Sequence, residues 1–252
     1  MRVILSIIIL LSITNNCFSQ EKLKSQIEII EKNIKVNSIS DFEKLQTDLD
    51  NDNDLDYIYL YQCGEPKCIE VYLNVNNKLK KVINEPCYNY YLYNGDIKHL
   101  TLKLNHCCGE SPFTSNRVFN FKFDKVITIE NYVLFNESYE LLKPDNYLLS
   151  VYNVKILNNN YNVRFSPNIK EYDEDESMFS CEPNTNIIGR LKENSTVKVL
   201  SELIKETRIW LYVEIESNSL NHQLCNNPID YEFKGQKLRG WISNNFVEKT
   251  IN

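Results

Sequence analysis

The chain has 252 residues, with 28 Lys and Arg against 34 Asp and Glu, a net charge of −6 and eight cysteines. No Lys/Arg cluster outweighs its acidic surroundings, which argues against nucleic acid and anionic membrane surfaces as partners, since both demand a basic patch or stripe. The length suits one large or two small domains, enough to bury real cores.

At the amino terminus Arg2 precedes an apolar run over residues 3–13, and Ser19 follows a short polar stretch. This pattern predicts a secretory signal peptide over residues 1–19, with the mature chain starting at Gln20. The run falls short of the roughly 20 apolar residues that cross a bilayer, so no membrane span is expected in the mature chain. Asn15 and Asn16 stand before Cys17 where lipoprotein signals use small residues, which argues against lipidation. The protein is therefore read as exported, either periplasmic or secreted.

Leu23, Ile27, Ile30 and Ile34 recur at helical spacing among Glu, Lys and Gln, predicting an amphipathic packing helix over 21–35. Next comes an acidic run in which Asp48, Asp50, Asp52, Asp54 and Asp56 occupy every second position. Carboxylates so spaced repel one another unless a loop curls them around a cation. Calcium fits best, because it accepts six to eight oxygens in flexible geometry, whereas zinc prefers nitrogen or sulfur. Four of the five carboxylates would be ligands, with Asp54 offering its backbone carbonyl. An EF-hand is excluded, because Asn53 and Tyr59 stand where that loop needs Gly and Glu. The run, leading straight into the strand 56–60, resembles a single unit of the FG-GAP-type calcium loops of exported proteins. That resemblance covers residues 41–83 and implies a structural calcium ion.

From Tyr57 the pattern changes to strands at 57–62, 69–74, 79–83, 88–93, 98–104, 118–123 and 125–129, rich in Tyr, Ile, Val and Phe. Asn76-Asn77 and Asn94-Gly95-Asp96 read as hairpin turns.

Seven cysteines remain after cleavage, and an exported protein can oxidise them. Cys63 and Cys68 flank a Gly64-Glu65-Pro66-Lys67 turn that brings them within disulfide reach. Cys87 is expected to pair with Cys107 or Cys108, and Cys181 with Cys225, which leaves one amino-terminal thiol over. The vicinal Cys107-Cys108 pair follows His106, but disulfide chemistry suits an exported chain better than a zinc site, which commonly uses spaced Cys pairs.

The last two-fifths of the chain carries an ordered series: Asn162-Val163-Arg164-Phe165-Ser166-Pro167, Ile187-Ile188-Gly189-Arg190-Leu191, Thr196-Val197-Lys198-Val199-Leu200, Trp210-Leu211-Tyr212-Val213, Gly240-Trp241-Ile242 and Phe246-Val247. Leu211, Val213 and Ile215 alternate with Trp210, Tyr212 and Glu214, as in a strand with two different faces. Gly240 marks a close backbone approach. In this order the series resembles a bacterial SH3-like (SH3b) domain, elaborated by insertions at 168–185 and 217–237. The resemblance implies a small β-barrel that recognises peptides, among them cell-wall peptides, without catalysis. Tyr161, Phe165, Trp210, Tyr212 and Trp241 are the candidate ligand contacts, with barrel core as the alternative role for these aromatics.

The three histidines, His99, His106 and His222, belong to no recognised nucleophile or zinc motif. The expected architecture is mainly β: an Asp-rich, disulfide-containing antiparallel domain with a leading helix over 20–146, then an SH3-like barrel over 149–252. The expected function is non-catalytic binding of a peptide or protein at the cell envelope. Two alternatives stay open: a cysteine-dependent envelope hydrolase using Cys107 or Cys108 with His99, and a structural, calcium-stabilised interaction protein.

Overall fold

The computed structural model describes residues 2–64, 67–87, 89–94, 98–105, 113–122, 124–135, 143–169, 171, 173, 181–221 and 234–250. Side chains are described from Gln20 onward, except those of residues 89, 94, 98, 99 and 102–105. The chain is mainly β, with one long helix, α1 (Arg2–Asn37). It divides into two compact units, Met1–Leu102 with Val118–Ile129, and Lys103–Arg117 with Glu130–Asn252.

In the first unit, β1 (Glu43–Thr47), β2 (Asp56–Tyr61), β3 (Lys67–Asn74) and β4 (Leu79–Cys87) form an antiparallel sheet in sequence order. Alternation along β2 decides its two faces. Tyr57, Tyr59 and Tyr61 join Tyr72 and Ile34 in one buried cluster, against which Ile27 and Ile30 of α1 pack. Ile58 and Leu60 face the other way, into a cluster with Leu49, Ile69, Val71, Leu73, Ile83 and Cys87. The helical spacing of Ile27, Ile30 and Ile34 is thus the face that docks. Helix α1 begins well upstream of the expected residue 21, and no Gly or Pro interrupts residues 2–37 to stop it. Among the described residues, no helix is long and apolar enough to cross a membrane. The β3–β4 hairpin turns at Asn76 and Asn77, at φ of 54° and 60°, the left-handed pair that a tight two-residue turn requires.

The second core cluster of this unit is completed by Leu100 of β6 (Lys98–Asn105) and by Phe119 and Phe121 of β7 (Phe113–Lys122), with Tyr90 and Leu92 of β5 (Asn89–Asn94) and Val126 of β8 (Lys125–Phe135) packed against it. Strands β6, β7 and β8 each continue into the second unit. Strand β1 had no alternating apolar signal, since its residues are exposed apart from the half-buried Thr47.

The second unit holds β9 (Tyr152–Ile156), β10 (Tyr161–Arg164), β11 (Ile187–Leu191), β12 (Thr196–Lys205), β13 (Arg208–Ile215), β14 (Lys237–Ser243) and β15 (Val247–Lys249). The order β15-β9-β12-β13-β14 is antiparallel throughout, and β10 pairs with β11 and touches β14 at Arg164↔Trp241. Strand β14 gives Lys237 and Leu238 to a parallel pairing with Tyr132 and Val133 of β8. With the free edge of β14 taken up by β8 and β10, the strands do not close into a barrel among the described residues. Leu149 lies within this unit, whose core extends back to Phe113, Val133 and Phe135; Phe135 stacks on Phe165 at 4.4 Å. Gly240 sits where a Cβ would come 2.8 Å from Val163 Cγ1 and 3.0 Å from the Arg164 carbonyl oxygen, so a residue without a side chain is required.

Cys63 and Cys68 are disulfide-bonded, with Cα atoms 5.7 Å apart. Cys87 is not paired with Cys107 or Cys108 as expected, but is a free, buried thiol. The reason is its place at the end of β4, where it faces the apolar core of the first unit. Cys181 is disulfide-bonded. Its expected partner Cys225, together with Cys107, Cys108, His106, His222 and residues 95–97, lies outside the described residues, as does the side chain of His99.

Candidate metal centre and binding cleft

Residues 48–56 connect β1 to β2 as a curled loop. Asn51 and Asn53 take φ of 62° and 71°, the left-handed conformation that Asn tolerates better than most residues. The curl is held by carboxylates accepting backbone N–H bonds. Asp48 accepts from Asp52 and Asn53, each at 3.2 Å, and Asp52 accepts from Asp54 at 2.9 Å. Asp56, 1% exposed, accepts from Leu49 at 2.7 Å and from Asn74 of β3 at 2.8 Å, which ties both ends of the loop to the sheet.

This folding gathers the carboxylates into two overlapping sets. Asp48, Asp50 and Asp56 bring one oxygen each within 4.8 Å of one another, and so do Asp50, Asp52 and Asp124. Asp54 belongs to neither set. Asp124 was not foreseen; it sits 74 positions from Asp50, in the β7–β8 turn at φ 60°, and its N–H donates to Asp50 Oδ2 at 2.9 Å. Its only sequence signal is an Asp between two predicted strands.

Asp50 is 9% exposed, and its Oδ1 has no hydrogen-bond partner. Burial, followed by the negative charges of Asp52, Asp124 and Asp48, raises its pKa even though the Asp124 N–H opposes the shift. Burial and then the charges of Asp52 and Asp56 push Asp54 up to about 7. Burial also lifts Asp56 to about 6 against its two N–H bonds. An orphaned buried oxygen amid uncompensated carboxylates is a donor set suited to a hard cation: all oxygen, on a loop of mixed geometry.

In the second unit the candidate ligand aromatics separate. Phe165 lies in the core, 2% exposed. Trp210, Tyr212 and Trp241 form their own buried cluster with Leu200. Cross-strand pairing puts Arg164, Trp241, Tyr212 and Ser201 in one row across four strands, hence on one face. Residues 143–148 cross part of that face. Ser201 Oγ donates to the Asn146 carbonyl at 2.6 Å, Leu148 N–H donates to the Leu200 carbonyl at 2.8 Å, and Tyr147 meets Tyr212 edge-on at 6.3 Å. Tyr161 is half-buried and its hydroxyl donates to the Ser243 carbonyl at 3.0 Å.

Tyr212 is 1% exposed and its hydroxyl has no partner. Leaving a buried hydroxyl unsatisfied costs on the order of 1–3 kcal/mol, so Tyr212→Phe is expected to fold with unchanged or higher stability. A urea midpoint lowered by that substitution would mean the hydroxyl has a partner after all.

The uncovered end of the face opens into a cleft of about 380 Å³, lined by Pro167, Asn168 and Ile169 on one side and by Lys205, Glu206, Thr207, Arg208 and Trp210 on the other. Its first wall is rigid, because the fully buried Asn186 amide bonds Ser166 Oγ at 2.9 Å and Asn168 Oδ1 at 3.0 Å while its oxygen accepts from Arg164 Nη1 at 2.6 Å. No family model, curated protein or solved structure matches the chain.

Proposed function

We propose that the protein is an exported, non-catalytic binding protein whose second unit is an SH3-like domain that recognises a peptide at the cell envelope, while its Asp loop holds a structural calcium ion. The observation that carries this reading is the open cleft at Trp210, formed where the segment after β10 meets the β12–β13 turn on the aromatic face. A peptide laid there would meet the exposed Ile169 side chain and a prearranged polar wall, the combination of apolar and polar contact on which peptide grooves rely. Support for the domain type comes from the landmarks falling in sequence order on β10, β11, β12, β13, β14 and the start of β15, with β15 returning to pair with β9.

Chemistry at the described free thiol argues against Cys87 as a nucleophile, whereas the hydrolase candidates Cys107 and Cys108 lie outside the described residues. Cys87 is buried and pushed up to about 11 by burial, with Lys67 opposing, so it lacks the thiolate a nucleophile needs. For calcium, the support is the buried, unpartnered Asp50 Oδ1 within the carboxylate cluster.

The test is retention of soluble cell-wall peptides on the immobilised full chain, with a Trp210→Ala column as control. Retention that depends on Trp210 is the expected result. Equal passage through both columns removes the peptide reading.

A further inference from the structure

We propose that the cleft at the β12–β13 turn takes the carboxylate of an anionic peptide, held by Lys205 and Arg208 beside Trp210. This deepens the peptide-binding reading and rests on it.

Lys205 and Arg208 are direct cross-strand partners at the end of the hairpin, and Leu203 and Trp210 are the next pair on the same face. Like charges placed directly opposite one another destabilise a strand pair. The turn between them keeps this arrangement through Glu206 at φ 57°, a left-handed conformation uncommon for a residue other than Gly or Asn. Elsewhere in the unit, Arg190 and Arg239 have carboxylate partners. Arg190 meets Glu182 at 2.7 Å and Arg239 meets Glu214 at 2.7 Å. Among the described residues, Lys205 and Arg208 make no ion pair, although Glu206 lines the same cleft. Arg208 instead lies 5.5 Å from the Trp210 ring centroid.

A third cation stands on the same face. Arg164 occupies the row of Trp241 and Tyr212, fixed by its 2.6 Å bond to Asn186. Burial, and then the positive charge of Arg208, lowers its pKa, with Glu182 opposing, so the two guanidiniums act on one another across the cleft wall. In a chain of net charge −6, the ion pairs among the described residues leave Lys205 and Arg208 unmatched. A guanidinium with a neighbouring ammonium favours a carboxylate. The Ile169 side chain, 58% exposed, adds apolar surface that a bare inorganic anion would not use. The ligand chemistry is therefore an acidic peptide and not a free ion.

The experiment uses the full chain and a synthetic cell-wall stem tetrapeptide, N-acetyl-L-Ala-D-Glu-Nε-acetyl-L-Lys-D-Ala, whose acetylated amines leave only its carboxylates charged, in two forms: both carboxylates free, and both as carboxamides. Calorimetric titration should give the free form at least a tenfold lower Kd. The Lys205→Gln/Arg208→Gln double variant should bind the free form only as weakly as the wild type binds the carboxamide, with its melting temperature unchanged or raised because the like-charge pair is gone. Equal affinity for the two forms, or full discrimination kept by the double variant, overturns the carboxylate inference while leaving peptide binding intact. No binding of either form at millimolar peptide overturns both.

Discussion

Saturating calcium should raise the melting temperature of the full chain, and Asp50→Asn should abolish the rise. A ligand bound only to the native state stabilises it by about 2.7 kcal/mol at a hundred times its Kd, roughly 5–10 °C for a chain of this size. Asp50 is the decisive position because it alone belongs to both carboxylate sets, and its Oδ1 is buried without a partner. The substitution has a second, opposite signature. Without calcium, the amide relieves the repulsion with Asp48, Asp52 and Asp124 while still offering an oxygen to the Asp124 N–H. Metal-free Asp50→Asn should therefore melt no lower than the metal-free wild type, and the order of the two should invert when calcium is added. Magnesium, which requires a stricter octahedron, should give a smaller shift. If calcium at millimolar concentration leaves the wild-type melting curve unmoved, the loop is a structural turn and holds no ion. Asp124→Asn should weaken the calcium response without removing it, because Asp48, Asp50 and Asp56 remain together.

How far these features could be read from the sequence depends on how local their causes are. The Tyr57-to-Tyr61 alternation sorts its own side chains between two cores, and the Ile27, Ile30 and Ile34 spacing marks the docking face of α1; both are period effects visible in a few residues. The Asp loop was equally legible, as was the requirement for Gly at 240. Asp124 was not, because it reaches Asp50 only through the pairing of distant strands. The mistaken pairing of Cys87 has the same origin: the oxidising compartment expected of an exported chain suggested a disulfide, whereas β4 turns that side chain into an apolar core. Similarly, the aromatics at 210, 212 and 241 announced a face of the sheet but not what covers it. Residues 143–148 lie across part of that face and leave the Lys205–Arg208 end open. The cations there drew no attention in the sequence, since Lys and Arg flanking a turn are ordinary until their register places them opposite each other.

Glu214→Ala should destabilise the second unit by about 3 kcal/mol or more, the range for breaking a buried ion pair from one side. Glu214 and Arg239 have side chains only 9% and 6% exposed, and they meet through two bonds, Nε at 3.0 Å and Nη2 at 2.7 Å; Lys237 adds a third contact at 3.1 Å. Arg239 also stacks on Tyr132 at 3.5 Å and approaches Glu130 at 3.5 Å, so it stays buried when Glu214 is lost. Glu130 offsets part of that exposed imbalance, which places the effect toward the lower end of the range. Replacing both partners with apolar residues, Glu214→Leu with Arg239→Met, should recover much of the loss, because no unpaired charge is then left inside. Burial alone would raise the Glu214 pKa, but its hydrogen bonds with Arg239 and Lys237 and their charges outweigh burial and hold it below the usual carboxylate range. The folded state thus binds a proton less readily than the unfolded one. Its contribution is complete above the unfolded value of about 4.3 and is lost as pH falls through the lower folded value. Wild-type stability should accordingly drop more steeply below pH 4.3 than that of Glu214→Gln, measured by urea unfolding at stepped pH. Parallel acid limbs for the two proteins would show that the pair is not coupled to folding.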